Sequence, residues 1–132
     1  MKKTILYLTL IYSFFNIDID ARVLPQDVIW NNDETGYYTI DENSIVLIST
    51  IGKKDKKILS SEDVKNKKIE SFSFSQDKKN VLIFTNSVRV WRYNTRGNYW
   101  VYNLKTKQGK RLGSTLPDRS LMFAKFSPNG EK

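Results

Sequence analysis

Phe72-Ser73-Phe74-Ser75-Gln76-Asp77-Lys78 decides how this chain is read, because it recurs fifty-two positions later as Ala124-Lys125-Phe126-Ser127-Pro128-Asn129-Gly130. A degenerate earlier copy, Val28-Ile29-Trp30-Asn31-Asn32-Asp33, leads into Gly36-Tyr37-Tyr38-Thr39-Ile40. In the same way Phe74-Ser75-Gln76-Asp77 leads into Asn80-Val81-Leu82-Ile83-Phe84, forty-four positions further on. In each copy an aromatic residue ends an apolar burst. Polar side chains that can bond the following backbone then set a tight reversal. Self-similarity at about 40 to 50 residues marks a repeat architecture.

Working outward from these copies, the apolar bursts are short, rich in β-branched and aromatic residues, and separated by Asn, Asp, Gly, Ser and Lys clusters. That pattern predicts strands at 28–30, 37–40, 45–50, 57–59, 69–74, 81–85, 99–104, 110–112 and 121–126. Beyond residue 15 no stretch keeps a helical apolar stripe for three turns, so the chain reads as all-β. A third strand follows in each unit, Ser44-Ile45-Val46-Leu47-Ile48 in one and Asn98-Tyr99-Trp100-Val101-Tyr102 in the next, and a basic fourth strand ends it. Four strands per period of this size is the pattern of a β-propeller blade. A β-sandwich with Ser-x-Asp turns is the alternative. The blade reading gives a partial propeller, with blades at 28–68 and 69–120 and the start of a third at 121–132. Trp30, Phe74 and Phe126 are then expected between neighbouring blades, each burying roughly 150 to 250 Å². A blade covers its faces only against its neighbours, and closed propellers have about four or more. The chain therefore reads as an N-terminal fragment of a larger ring or a truncated gene product.

The 132 residues include 22 Lys plus Arg against 14 Asp plus Glu, a net charge of +8, with no His and no Cys. Neither a Ser-His-Asp unit nor a His-ligated zinc site can be assembled from this chain alone. Disulfides are excluded as well. Met1-Lys2-Lys3 and the apolar run at 4–15 have the n-region and h-region of a secretory signal, taken here as residues 1–21. That run is shorter than the about 20 residues a membrane span needs, so no stable span is expected. Ile19-Asp20-Ala21 is a poor copy of the small-x-small cleavage rule, which leaves the boundary open and an uncleaved anchor as the alternative. An exported chain without cysteines points to a bacterial periplasm or envelope. Lys53-Lys54-Asp55-Lys56-Lys57 and Lys65-Asn66-Lys67-Lys68 would suit a nucleic-acid partner. They fall between predicted strands and read instead as solvated loops, so no nucleic acid is expected. The six glycines form no phosphate loop or dinucleotide fingerprint, and neither a cofactor nor a metal is expected.

The second repeat is longer than the first, and its excess is Asn86-Ser87-Val88-Arg89-Val90-Trp91-Arg92-Tyr93-Asn94-Thr95-Arg96-Gly97. Insertions on one face of a propeller tend to line its binding surface. Arg92 offers several donors to carbonyl or carboxylate oxygens, and Trp91 and Tyr93 are placed to limit its motion. The same residues also fit an extended hairpin whose aromatics pack and whose arginines are solvated.

The run from Trp91-Arg92-Tyr93-Asn94 through Tyr99-Trp100-Val101-Tyr102-Asn103-Leu104, followed by Phe126-Ser127-Pro128-Asn129-Gly130, resembles the N-terminal propeller of the dipeptidyl peptidase IV family within the prolyl oligopeptidase superfamily. There an aromatic-Arg-x-Ser segment leads into Tyr-x-(Ile/Val)-Tyr-Asp and a Trp/Phe-Ser-Pro-x-Gly turn. The resemblance takes in most of residues 28–132 and departs at Asn94, where Ser is usual, and at Asn103, where Asp is usual. It implies an exported serine exopeptidase, a hydrolase with an eight-bladed propeller and an α/β-hydrolase domain, that removes N-terminal dipeptides with Pro or Ala second. Arg92 would bond a peptide substrate's backbone carbonyl, and the parent would be compatible with a homodimer. The glutamate pair that holds the substrate amino terminus and the catalytic triad belong to other parts of such an enzyme. Glu34, Glu42, Glu62 and Glu70 are isolated and supply no such pair, so the chain is expected to contribute substrate binding and no catalysis. A non-catalytic envelope propeller, with the 91–96 region as a partner contact, is the alternative.

Overall fold

The computed structural model describes residues 28–65 and 67–129, and the expected signal at 1–21 lies outside them. In chain order the elements are β1 (Ile29–Trp30), β2 (Gly36–Asp41), β3 (Ser44–Ser49), β4 (Lys56–Ser60), a 3-10 turn (Ser61–Val64), β5 (Ile69–Phe74), β6 (Asn80–Val90), β7 (Tyr93–Asn103), β8 (Gln108–Arg111) and β9 (Leu121–Met122). They form two antiparallel meanders, β1-β2-β3-β4 and β5-β6-β7-β8, with β9 added to β7. The fold is all-β, with two blade-like sheets.

The repeated turns explain the first reversal of each sheet. The Ser75 hydroxyl donates to the Asp77 carboxylate at 2.7 Å and accepts the Asn80 N–H at 3.0 Å, while the Lys79 N–H donates to the same carboxylate at 3.0 Å. In the earlier copy the Thr35 hydroxyl and N–H both donate to Asp33, at 2.7 and 3.1 Å. In the last copy the Ser127 hydroxyl donates to the Asn129 side chain. The Ser75 hydroxyl, with the Lys79 N–H behind it, holds the Asp77 carboxyl below its ordinary range, and the Thr35 hydroxyl does the same for Asp33. Glu34 and Lys78 occupy one repeat position and share the left-handed conformation, with φ of 57° and 52°.

Strand register then sorts side chains between the two faces of each sheet. In the second sheet Phe72 pairs with Ile83, and Ile83 with Trp100, placing them on one face with Phe74, Val81 and Tyr102. That face meets Ile45, Leu59 and Val64, and the joint cluster is the core of the chain. The Tyr38 ring lies 4.6 Å from that of Phe74 across the junction. Burying a large apolar side chain contributes roughly 1.5 to 3 kcal/mol, so this junction contributes strongly to stability. Tyr38 and Ile40 occupy the repeat positions of Leu82 and Phe84, on the opposite face of the second sheet. The sheets thus stack in one sense, the back of the first on the front of the second, as successive blades do. Over the back of the second sheet, at Leu82, Phe84 and Tyr99, run residues 123–126, leaving a cleft of about 480 Å³.

Two polar links tie the sheets together. The Asn43 side-chain oxygen accepts the Ile69 N–H at 2.7 Å. Asp63 accepts the Ser60 N–H at 2.9 Å through one oxygen and the Tyr102 hydroxyl at 2.9 Å through the other.

Three expectations need correction. Trp30 is 57% exposed, its ring set edge-on to Tyr37 on the face turned away from the second sheet. Phe74, at the same repeat position, has a sheet in front of it, and Trp30 has none among the described residues. The strand expected at 121–126 is only Leu121–Met122, and it pairs with β7 through Gly97↔Leu121 and Arg96↔Met122. The strands expected at 81–85 and 99–104 are instead eleven residues each and run on into an arm.

Candidate functional site

The arm begins where the β6–β7 ladder is interrupted. Pairing is regular from Asn80↔Asn103 to Thr85↔Asn98, lapses at Asn86 and Ser87, and resumes at Val88↔Arg96, Arg89↔Asn94 and Val90↔Tyr93. Asn86 takes a φ of 53°, which asparagine tolerates better than most residues, and the lapse is a β-bulge. Val88, Val90 and Tyr93 favour the extended state that carries the arm outward. Gly97 is required at the root, because a Cβ there would lie 2.4 Å from the Phe84 ring and 2.9 Å from the Thr85 carbonyl oxygen.

Trp91 and Arg92 form the two-residue loop at the tip. Trp91 has a φ of 61° and Arg92 does not share it, the sign combination of a type II′ turn. Glycine is the usual residue at that first position, and a bulky side chain there stores strain. The Arg89 Nε donates to the Trp91 carbonyl at 3.1 Å and braces the turn. Trp91 is 94% exposed and Tyr93 72%. Arg92 is exposed and makes no hydrogen bond or ion pair among the described residues. Sequence reasoning expected Trp91 and Tyr93 to flank Arg92, and the structure sets these three consecutive residues at the tip with all three exposed. Their rings do not pack into the hairpin. Residues 86–97 carry Arg89, Arg92 and Arg96 and no acidic side chain, so the arm is a cationic projection with two exposed aromatic rings. Such a tip can donate several hydrogen bonds to a carbonyl or carboxylate group while offering apolar surface to its neighbours.

The root is built differently. The Ser87 N–H donates to the Glu70 carboxylate at 2.7 Å. The Asn86 side-chain oxygen accepts Arg119 Nη2 at 2.8 Å and Nε at 3.2 Å. The Arg119 N–H in turn donates at 2.8 Å to Asn98, which is buried. In the sequence Glu70 stood as an isolated glutamate, Asn86 as the first residue of the insertion and Arg119 not at all, and the separations of 17 and 33 residues across these contacts give no local signal.

Away from the arm, Lys65 and Lys67 line a cleft of about 570 Å³ with Lys110, Arg111 and Trp100. Arg111 is committed there to Asp118 and to the Ser114 and Leu116 carbonyls. Among the described residues no group of three or more acidic side chains is placed to hold a metal ion. No described helix is long and apolar enough to cross a membrane.

Residues 75–132, which include the whole arm, match the family model for the dipeptidyl peptidase IV (DPP IV) N-terminal region. This stretch is homologous to the N-terminal region of DPP IV-like peptidases. The chain is 35% identical over 57 residues to the "Probable dipeptidyl-aminopeptidase B" of Uncinocarpus reesii, a match covering 43% of this chain and 6% of the relative. It is 33% identical over 57 residues to the protein of the same name from Ajellomyces dermatitidis, with the same coverage. To a "Putative dipeptidyl aminopeptidase" of Schizosaccharomyces pombe it is 33% identical over 63 residues, 48% of this chain and 8% of the relative. The chain thus matches less than a tenth of the length of these relatives. The DPP IV model begins at Ser75, so the first sheet and β5 lie outside it. Within it, Asn103 stands where the resemblance led one to expect aspartate. Its Oδ1 accepts the N–H groups of Lys105 and Thr106 at 3.0 and 2.9 Å, and its Nδ2 donates to Asn80 at 3.0 Å. The amide holds the β7–β8 turn as a carboxylate would and adds a cross-strand bond.

Proposed function

We propose that this chain is the N-terminal propeller portion of an exported, DPP IV-like serine exopeptidase, with Arg92 bonding a backbone carbonyl of the peptide substrate and Trp91 and Tyr93 flanking it. In the full-length parent, hydrolysis would proceed by acyl transfer through a covalent serine intermediate and release N-terminal dipeptides. The bond-breaking groups come from elsewhere in that parent, since the chain has no histidine. Lys2, Lys3 and the apolar run after them support export to the periplasm or envelope. The observation that carries the reading is a guanidinium, unengaged among the described residues, at the tip of an arm inside the homologous stretch. A guanidinium bonded to a carbonyl makes a charge-assisted contact of about 1 to 3 kcal/mol.

The test is a chimera in which residues 75–132 replace the matching segment of a dipeptidyl-aminopeptidase. Arg92→Ala in that chimera is expected to lower kcat/KM for a Gly-Pro chromogenic substrate by about 5- to 150-fold, the equivalent of 1 to 3 kcal/mol. An unchanged kcat/KM would remove Arg92 from the site.

A further inference from the structure

We propose that Glu70 and Arg119 are positioning residues that aim the 86–97 arm, and with it Arg92, by clamping the bulge at its root. The functional consequence rests on the reading of Arg92 given above. The clamp itself rests on geometry alone.

Asn86 and Ser87 are the two β6 residues before the tip with no partner in the β6–β7 ladder. A two-stranded ribbon is stiff where its ladder is continuous and bends where it is not. The ladder shifts register between Thr85 and Val88 and again between Val88 and Arg89, and the first of these breaks sets the direction in which the arm leaves the sheet. From Ser87 to Trp91 the chain advances about 13 Å at the ~3.3 Å rise of a strand. A swing of 10° at the bulge would therefore carry the tip about 2 Å, and misplacement on the order of 1 Å can weaken catalysis about a hundredfold.

The two unpaired β6 residues are the two that are gripped. From the β5 side, the Glu70 carboxylate takes the Ser87 N–H at 2.7 Å, a charge-assisted bond to the donor that the bulge leaves free. From the β7 side, the Arg119 guanidinium places two donors on the Asn86 side-chain oxygen. Arg119 is anchored by its own N–H to buried Asn98, which pairs with Thr85 at the last regular rung before the bulge. It holds a φ of 62° in that position. β9 follows two residues later and pairs with the arm at Arg96 and Gly97. The bulge is thus held through its backbone on one side and through its side chain on the other, and neither grip touches the tip.

Amide hydrogen exchange on the full chain tests this. Arg119→Met is expected to speed exchange at residues 88–96 at least tenfold while residues 81–84 and 99–102 keep their protection. Glu70→Ala should do the same, and Glu70→Gln, whose amide oxygen still accepts the Ser87 N–H, should restore most of the arm's protection. Unchanged exchange in the arm for both Arg119→Met and Glu70→Ala would overturn the clamp. So would acceleration spread evenly over the second sheet, which would mark the two residues as general stabilisers. Arg92→Ala should leave the arm's exchange as it is. A null result for Arg92→Ala in the chimera would then remove the substrate reading and leave the clamp standing, whereas a null exchange result would do the reverse.

Discussion

The two sheets carry one repeat and differ most at one turn. In the first, β2 and β3 reach the pair Asp41↔Ser44 and are closed by Glu42 and Asn43, with φ of 42° and 59°, a two-residue type I′ turn. In the second, β6 and β7 reach the equivalent pair, Thr85↔Asn98, and the residue at the position of Glu42 is Asn86, again left-handed at 53°. Here the chain bulges, and ten more residues follow before Gly97 returns it to the sheet. A left-handed residue that ends one hairpin thus redirects the other. The lesson is that the arm is a lengthened hairpin, and the stacking face below it need not change. Asn43 keeps a second task in the first sheet, accepting the Ile69 N–H, so the short turn serves the junction while the long one faces outward.

If the sheets are one cooperative unit with an appended arm, the largest effects must come from the junction. Ile45 and Ile83 lie on its two sides and are both fully buried. Ile45→Ala and Ile83→Ala should each destabilise by about 2 to 5 kcal/mol, seen as a shift of a single urea transition. If Ile45→Ala splits the transition in two, the sheets fold separately and the comparison of stacked repeats loses its basis.

A smaller effect is expected at the arm's root. Gly97→Ala forces a methyl group against the Phe84 ring and the Thr85 carbonyl. It should destabilise by about 1 to 3 kcal/mol, measured by the same unfolding experiment, as over-packing does. A neutral substitution would show that β7 leaves the blade with room to spare and that the close approach is not what shapes the root.

Much of this was legible in the residues. The bursts around Ile45, Ile69 and Ile83 announce strands because their pattern is dense and β-branched, and the turns at Asp33 and Asp77 announce themselves by side chains with a known way of bonding the backbone. Trp91-Arg92-Tyr93 was legible as a guanidinium between two rings, and the structure sets all three at one exposed tip. The continuation of β6 and β7 through 86–97 was not, because Asn86, Asn94, Thr95 and Gly97 read as loop residues, and the extended state there depends on the cross-strand pairs Val88↔Arg96, Arg89↔Asn94 and Val90↔Tyr93. The burial of Trp30 could not be read either, since it depends on what stands in front of its sheet. The grip of Glu70 and Arg119 joins residues far apart in the chain, and no local pattern encodes it. The 3-10 turn is four residues long, too short for any periodicity to show.

That short turn supplies the mildest test of the difference between the sheets. Its Asp63 accepts the Tyr102 hydroxyl, whereas the equivalent position in the first sheet is Ile48, which cannot titrate. Burial pushes the Tyr102 hydroxyl up to about 12 from an ordinary 10, and the hydrogen bond and charge of Asp63 push the same way. Because the folded value lies above the unfolded one, the neutral hydroxyl adds stability that is complete below pH 10 and is lost as the pH climbs towards 12. Tyr38 is raised too, by burial and then by the charge of Asp33, so wild-type behaviour alone would not isolate the second sheet. The difference from Tyr102→Phe does isolate it. Between pH 10 and 12 the melting temperature of the wild type should fall more steeply than that of the variant, and the gap between them at neutral pH should narrow. Parallel curves would mean that the Asp63–Tyr102 contact does not hold the linker to the second sheet. The tie between the sheets would then rest on apolar packing and the Asn43 amide.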